Sequence, residues 1–215
     1  MTKPEFITKV LYILNEADAD ISGADMIGSD MTKLEQYIEN LYPAAWRRAV
    51  SLLPLSWFEK KSFSTSTKVV NATDGTGYII LPDDYLKLSS FKMTAWKQSC
   101  MEANDETPAI NRKQANEYLR GNIYKPVCVL RFINHESALK KAMWYYSLPR
   151  TTDEATHVVE TALYIPNVTI LATNAVIDNK LSEPLAYICA STVLISLEKT
   201  DSSKGIESLL LEMIK

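Results

Sequence analysis

Three ionisable side chains offer this sequence its simplest route to catalysis. Asp83 and Asp84 are adjacent carboxylates, and His135 is one of 2 histidines in the chain. A small hydrolytic enzyme would need these groups to converge in one pocket, with one of them acting as general base. The two aspartates, however, follow Leu81 and Pro82 at the predicted end of a strand, where aspartate commonly stabilises a turn or caps a helix. We therefore interpret Asp83 and Asp84 as turn residues and keep the hydrolytic enzyme as the less favoured alternative.

The remaining reactive residues lack the spacing of catalytic, metal or nucleotide sites. The 6 glycines fit neither phosphate-binding loop pattern, and neither histidine has a cysteine, aspartate or second histidine at ligand spacing. The hydroxyls between Ser62 and Thr67 have no partnered histidine, so exposed strand residues are the simpler interpretation. From Asp18 or Asp20, the twelfth position of a calcium loop is not glutamate. We predict no catalytic residue, no metal site and no cofactor.

The net charge argues against a tight nucleic-acid partner, and the number and spacing of the cysteines argue against disulfide bonds. The chain of 215 residues carries 23 basic and 26 acidic residues, a formal charge of −3. A protein that binds nucleic acid tightly neutralises many phosphates and is normally basic, so any contact with DNA is expected to be loose. The segment Met1 to Asp20 lacks the features of a secretory signal, and no apolar run approaches a membrane span. The 3 cysteines are odd in number and widely spaced, which predicts free thiols: Cys100, Cys128 and Cys189.

The elements that would position these residues begin with helices. Thr2 and Glu5 stand at capping-box spacing before a helical apolar period that runs to Asn15. An acidic, glycine-containing segment from Glu16 to Asp30 predicts a loop. A second helix is predicted from a capping box at Thr32 and Glu35. We expect Pro43 to kink or break that helix, with a further helix reaching Pro54.

The middle of the chain changes to strand-compatible patterns. Hydroxyl-rich alternation and short runs of branched and aromatic residues predict strands separated by turns. A short helical piece is expected around Gln114 to Leu119, and Ala162 to Ile165 and Val168 to Ala172 have an extended pattern. The predicted strands are Ser62 to Val70, Gly77 to Leu81, Leu86 to Trp96, Val127 to Ile133 and Ala142 to Leu148.

The last third of the chain returns to helix. Ser182 is the predicted cap of a broad apolar helix, with Pro184 in its first turn. After Thr200 to Gly205, a final helix carries apolar residues from Ile206 to Ile214. The whole pattern predicts one α+β domain over residues 1–215, in which a helical bundle (1–58 and 181–215) contains an inserted, mainly antiparallel β portion (62–172).

Several segments, taken in order, resemble one known family. The run Leu41 to Phe58, LYPAAWRRAVSLLPLSWF, followed by Lys60 and Lys61, is similar to a helix that ends in a Trp-containing turn in the head-to-tail connector proteins of short-tailed bacteriophages. The run Tyr78 to Leu88, YIILPDDYLKL, resembles that family's strand exit. The aromatic strand at Trp144-Tyr145-Tyr146 and the helix from Glu183 to Leu197 follow in the same order. The resemblance covers about two-thirds of the chain and leaves out about the first two dozen residues and residues 100–125.

This resemblance, to the portal adaptor or tail tubular protein A-like neck rings, implies a structural protein without enzymatic activity. Such proteins form a ring of about twelve copies between the portal of the capsid and the tail or next ring protein. DNA would pass through without tight binding, and no membrane contact is implied. The expected location is the virion neck, after synthesis in the host cytoplasm. The alternative within the same class is another neck or tail-completion protein.

The resemblance and the apolar pattern together suggest which residues meet neighbouring proteins. Arg47 and Arg48 are predicted either to form salt bridges between subunits or to lie on a solvated helix face. Trp57 and Phe58 are predicted core anchors. The apolar residues of the terminal helix need to be covered, either by the core of their own subunit or by a neighbouring protein. We predict that this helix docks on the portal. Its predicted interface residues are Ile206, Leu209, Leu210, Met213 and Ile214.

Overall fold

A computed structural model describes residues 1–17, 28–151, 157–172 and 176–214 of the chain, without the side chains of 28–32 and 214. Within these residues the chain forms helices and antiparallel or mixed sheets, which confirms the predicted α+β class. It divides into two compact units. The helical unit comprises Met1–Glu59 and Asn167–Lys215, and the β unit comprises Lys60–Pro166. The single domain predicted over residues 1–215 stays a prediction.

The helical unit is organised around its most apolar helix. This central helix, α4, packs against the three other helices of the unit. Residues on nearly all sides of it are buried, as its broad apolar pattern predicts. The helices are α1 (Lys3–Ala17), α2 (Gly28–Leu52), α4 (Asn179–Ser196) and α5 (Thr200–Ile214), with a short 3-10 helix at Leu55–Trp57.

The first helix begins where the capping signal predicts. The amide of Thr2 donates to Oε2 of Glu5 at 2.7 Å, which satisfies one of the amides that a helix start leaves without a partner. Phe6, Val10 and Leu14 recur at helical spacing and are fully buried. The predicted helix is therefore confirmed, and its last turn extends to Ala17.

Two predictions about α2 were wrong. The helix begins at Gly28, ahead of the predicted start at Thr32, and it continues through Pro43 to Leu52 without the predicted break. Proline removes one backbone hydrogen bond and crowds the preceding turn. Here the packing of the same helix outweighs that cost, because Tyr42 makes an edge contact with Phe6 at 5.6 Å and Trp46 makes one with Phe58 at 5.3 Å.

The last two helices also begin earlier than predicted. Asp178, and not Ser182, caps α4, and its Oδ1 accepts from the amide of Lys180 at 2.8 Å. Ser182 lies within the helix, where its hydroxyl donates to the carbonyl of Asn179. The predicted connection from Thr200 to Gly205 is the first part of α5. Only three residues, Leu197 to Lys199, separate the two helices.

The β unit contains two sheets. Strands β1, β8 and β4 form a three-stranded antiparallel sheet, and β2, β3, β7, β6 and β5 form a five-stranded sheet in that order. All neighbours in the second sheet are antiparallel except β5 and β6. The elements are β1 (Lys61–Ser62), β2 (Lys68–Asn71), β3 (Thr76–Ile80), β4 (Tyr85–Met93), β5 (Ala103–Asp105), α3 (Pro108–Ala115), β6 (Cys128–His135), β7 (Ala138–Tyr145) and β8 (Val159–Pro166).

The hydroxyl-rich strand predicted over Ser62 to Val70 is replaced by two short strands and a turn. Within it, the amide of Ser64 approaches the hydroxyl of Ser62 at 3.3 Å and the amide of Ser66 donates to the carbonyl of Phe63. Serine and threonine side chains compete for backbone groups in this way and favour turns over sheet. The helix predicted around Gln114 lies earlier, at α3, and Val168 to Ala172 is not a strand.

An aromatic core joins the two sheets of the β unit. Phe91 of β4 stacks on Phe63 at 5.9 Å and meets Trp96 edge-on at 5.4 Å. On the five-stranded sheet the ring of Tyr145 lies across Gly77, where an added Cβ would come within 2.7 Å of the tyrosine ring and hydroxyl. Glycine is required at this position because only a residue without a side chain lets the ring approach the strand.

Among the described residues, no helix is both long and apolar enough to cross a bilayer.

Candidate assembly interface

The terminal helix α5 is amphipathic within the helical unit. Ile206 and Leu210 are 3% and 4% exposed, so they belong to the core of their own chain. This corrects the prediction that these two residues contact the portal, because a side chain already buried in the subunit is not available to a neighbour. Leu209 and Met213 remain 52% and 38% exposed. The side chain of Ile214, also predicted at this interface, lies outside the described residues.

The exposed Leu209 lines a groove, and Met213 follows it on the same flank of α5. Leu209 and Met213 are four residues apart, so they occupy the same flank of α5. Leu211, which is 60% exposed, points to the opposite flank because it is two residues away from each of them. On the first flank, α5 meets α1 and α4 around a cavity of about 380 Å³. Its lining comprises Ile13, Glu16, Ala17, Tyr187, Ser202, Gly205, Ile206 and Leu209.

Gly205 lines this groove and leaves the helix backbone there without a side chain. It lies in the interior of α5, and a Cβ built at this position would have no neighbour within 4 Å. Glycine within a helix costs about 0.5 to 1 kcal/mol relative to alanine. No close contact within the described part of the chain accounts for that cost. The glycine leaves the backbone of α5 open to the approach of another surface.

Arg48 has partners within its own subunit. Its guanidinium donates from Nη2 to Oε1 of Glu207 at 2.6 Å and from Nη1 to the hydroxyl of Ser191 at 3.0 Å. Ser203 joins the same group, 3.0 Å from the Ser191 hydroxyl. The network ties α5 to α2 and α4, whereas the sequence prediction gave Arg48 either a neighbouring subunit or solvent. Arg47, one position along the helix, is exposed.

The same network makes the helical unit sensitive to acid. The hydrogen bond from Arg48 lowers the pKa of Glu207 and is a larger effect than burial, which raises that pKa; hydrogen bonds from Ser191 and Ser203 lower it further. A carboxylate whose pKa is lowered on folding stabilises the folded state above its unfolded pKa, and this contribution disappears as pH falls through the folded pKa.

Replacing Glu207 by glutamine is therefore expected to flatten the acid limb of the stability profile. At neutral pH the variant should lose about 1 kcal/mol, a modest figure because solvent partly screens this half-exposed pair. The difference from the wild type should vanish below the folded pKa. Thermal unfolding followed by circular dichroism between pH 7 and pH 3 measures both quantities. Glu212→Gln, on the exposed side of α5, is the matched control, and an equal pH response in the two variants would contradict the assignment.

A second and larger cavity lies elsewhere in the helical unit. It measures about 660 Å³ and is lined mainly by apolar and aromatic side chains between the end of α2 and the start of α4. Phe58 is buried, as predicted for a core anchor, whereas Trp57 is half-buried and lines the cavity. Glu59 and Asp178 are the acidic residues of the lining, and its described residues include no lysine or arginine.

The three groups considered for hydrolysis each have a different neighbour. Asp84 accepts from Lys61 Nζ at 2.7 Å and from the Tyr164 hydroxyl at 2.6 Å. Burial raises the pKa of Asp84, but these two hydrogen bonds outweigh burial and leave the pKa below its ordinary value. Asp83 pairs with Lys140 at 2.9 Å. His135 ends β6, with Nε2 at 3.7 Å from the Glu136 carboxylate.

Two cysteines that are far apart in the sequence meet in the β unit. Cys100 and Cys128 lie in the same buried core cluster, and Cys100 Sγ donates to the carbonyl of Glu102 at 3.0 Å. Both are buried and free, as is Cys189 in α4. Burial raises the pKa of Cys128 well above that of an ordinary thiol. Across the described ranges, no three His, Cys, Asp or Glu side chains are grouped as metal ligands.

Comparison with known proteins gives no family assignment. No protein-family model matches the sequence, and no curated protein matches it significantly.

Proposed function

We propose that this chain is a structural virion protein that forms a ring between the portal of a bacteriophage capsid and the tail. The observation that carries the proposal is the groove flank of α5, where exposed Leu209 lines the groove and exposed Met213 lies one turn further along the helix. Contiguous exposed apolar surface on a folded domain commonly marks a site of protein contact. We assign this flank to portal docking, which keeps two of the residues predicted for that role.

Gly205 supports docking at the same flank. Among the described residues, none lies within 4 Å of a Cβ built at Gly205, and a glycine inside a helix lowers the stability of that helix relative to alanine. Close approach of another backbone or a bulky side chain is a physical use for the missing Cβ. Ala17 and Ser202, also small, lie in the same lining. The groove can therefore accept a helix or loop of the portal at short distance.

The attachment of α5 suits a helix that carries load between two assemblies. It is held to its own subunit by the apolar pair Ile206 and Leu210 and by the Arg48–Glu207 salt bridge. Because apolar packing and a salt bridge both hold α5 to its own subunit, the helix can transmit force without detaching. The partner protein therefore meets a preorganised surface. Preorganisation reduces the entropy lost on binding, which raises affinity for a given contact area.

The electrostatics agree with a ring through which DNA moves. The formal charge of −3 gives no general attraction for a polyanion. A basic lining would release counterions and retain DNA strongly, which would oppose passage. A near-neutral or acidic channel lets DNA pass without tight binding.

No enzymatic step belongs to this proposal. Asp83 and Asp84 are engaged by two different lysines in the β unit, as expected of residues that stabilise a turn and a strand exit. A protein that acts through its surfaces needs no cofactor, and we assign none.

The position of the chain in the particle separates the proposal from its nearest rival. Chemical cross-linking of purified virions, followed by mass spectrometry, should connect lysines of this chain to the portal protein. Cross-links to tail subunits alone would instead indicate another neck or tail-completion protein.

A further inference from the structure

The β unit displays an exposed aromatic loop between α3 and β6. In this loop, residues 116–125, Tyr118 is 93% exposed, and Leu119 and Tyr124 are 60% and 61% exposed. Large apolar side chains in such a position contribute nothing to the core of the β unit. Tyrosine is enriched in protein-binding loops because it supplies a large contact area with little loss of rotamer entropy.

Short hydrogen bonds hold the aromatic loop in one conformation. Gln114, buried at the end of α3, accepts from the amide of Gly121 at 3.0 Å. Asn116 and Asn122 each fold the chain back, their Oδ1 atoms accepting from the amides of Tyr118 and Tyr124 at 2.9 Å. These asparagine turns replace regular secondary structure with side-chain contacts to the backbone.

Two arginines anchor the base of the loop. Arg120 donates from Nη2 to the carbonyl of Asp74 at 2.6 Å, and Arg150 Nη1 lies 2.5 Å from the carboxylate of Glu117. Lys97 also donates its amide to the carbonyl of Ile123 at 2.8 Å. The loop is thus fixed to the β unit from several directions. Its exposed tyrosines are preorganised, which favours a role in binding over one in folding.

The two units carry opposite net charges. Residues 60–166 include 14 basic and 11 acidic residues, a net charge of +3. The remainder of the chain includes 9 basic and 15 acidic residues, a net charge of −6. Around the aromatic loop the exposed basic residues are Lys97, Arg112, Lys113, Lys125 and Arg150, of which Arg150 pairs with Glu117 of the loop. Complementary charge steers association and suppresses contacts between like surfaces.

We propose that the aromatic loop of one copy docks into the 660 Å³ cavity of the helical unit of a second copy. This inference rests on the proposed ring and names the contact between its subunits. The cavity is apolar, lies in the size range of about 300 to 1,000 Å³ that accepts ligands and bulky side chains, and carries Glu59 and Asp178 in its lining. Tyr118 and Leu119 fill it, while Lys113 and Lys125 approach the two carboxylates.

Such a contact has the symmetry that a ring requires. The loop and the cavity are different surfaces, so each copy offers one to the neighbour before it and the other to the neighbour after it. A heterologous contact of this kind forms a closed ring when its rotation closes and a filament when it does not. The docking flank of α5 stays separate from it and remains free for the portal.

Substitution of Tyr118 by glutamate tests the contact in the full-length chain. A central buried aromatic anchor commonly accounts for about thirtyfold or more in affinity, so the concentration needed for half-assembly should rise by at least that factor. Assembly is measured by mass photometry and negative-stain imaging in the presence of the portal protein. Met101→Glu, which places the same charge at another exposed apolar residue of the β unit, should assemble normally.

A charge exchange tests the partner. Lys113→Glu with Lys125→Glu should weaken assembly, and Glu59→Lys in the same chain should restore part of it. Cysteines placed at Leu119 and Ser56, which lines the cavity, should form an intermolecular disulfide under mild oxidation. The native cysteines are buried and leave this reaction to the introduced pair.

The outcomes separate the inference from the proposed function. If Tyr118→Glu binds the portal but forms no ring, the inference is supported. If the variant forms rings as the wild type does, or loses only affinity for DNA, the contact is elsewhere and the inference fails while the ring stands. If the wild type forms no ring with portal present, the proposed function fails.

Discussion

A variant carrying Leu209→Glu and Met213→Glu is expected to lose portal binding while keeping its fold. Both side chains are exposed on the groove flank of α5, so two carboxylates there cost little in the isolated subunit. In the complex the same carboxylates would be buried without partners, which is costly by several kcal/mol each. Binding should fall by at least about a thousandfold, close to the limit of detection. Biolayer interferometry with immobilised portal measures the loss.

The opposite flank of α5 provides the matched control for this variant. Leu211 is at least as exposed as Leu209 and lies on the same helix, but it faces away from the groove. Leu211→Glu should bind the portal within about twofold of the wild type. Circular dichroism should show the same unfolding midpoint for all three proteins. Equal loss of binding in Leu211→Glu, or normal binding by the double variant, contradicts the assignment of the docking flank.

Replacing Trp96 by alanine is expected to destabilise the β unit by about 3 to 5 kcal/mol. Trp96 is among the largest fully buried side chains and fills the aromatic core that joins the two sheets. Its indole nitrogen also donates to the carbonyl of Ser147 at 3.0 Å, and removal of the ring leaves that carbonyl without this donor. Loss of this size is a large fraction of the stability of an ordinary domain.

The test of this second prediction is chemical denaturation followed by circular dichroism. Trp96→Phe keeps most of the packing and loses the hydrogen bond, so it should retain more than half of the stability lost in Trp96→Ala. Trp57→Ala, at a half-buried tryptophan, should cost clearly less. A cost below about 1 kcal/mol for Trp96→Ala would mean that the aromatic core does not hold the sheets together.

The helical part of the fold could be predicted well because its period is strong. The apolar repeat of α1 and its Thr2–Glu5 capping box define a helix by local interactions alone. The error at Pro43 has a different origin. The cost of proline is local, whereas the contacts of Tyr42 and Trp46 that outweigh it come from distant residues, which a local pattern does not contain.

The sequence predicted that α5 is apolar but not which of its residues are exposed, because that also depends on contacts with residues distant in the chain. Composition identifies α5 as apolar, yet it does not state which of Ile206, Leu209, Leu210 and Met213 face the bundle. That choice depends on the rotation of α5 against α4, which the Arg48–Glu207 pair and Ser191 help to fix. A salt bridge that joins residues so distant in the chain has no sequence signature. The same holds for the meeting of Cys100 and Cys128.

The aromatic loop shows what family resemblance leaves out. Residues 100–125 match no segment of the connector pattern, and their sequence predicted only a short helical piece around Gln114 to Leu119. Their structure depends on Gln114, a buried polar residue whose role becomes visible only when Gly121 is folded against it. The folded loop leaves Tyr118 exposed. The sequence alone does not indicate this, because an aromatic residue is ordinarily expected to be largely buried.

The central claim is that copies of this chain close into a ring on the portal. Negative-stain imaging of the purified full-length protein, alone and mixed with the portal protein of the same virus, tests it most directly. We expect annular particles of about twelve subunits that stack coaxially on the portal in the mixture. Monomeric particles in both samples, with no added density on the portal, would contradict it.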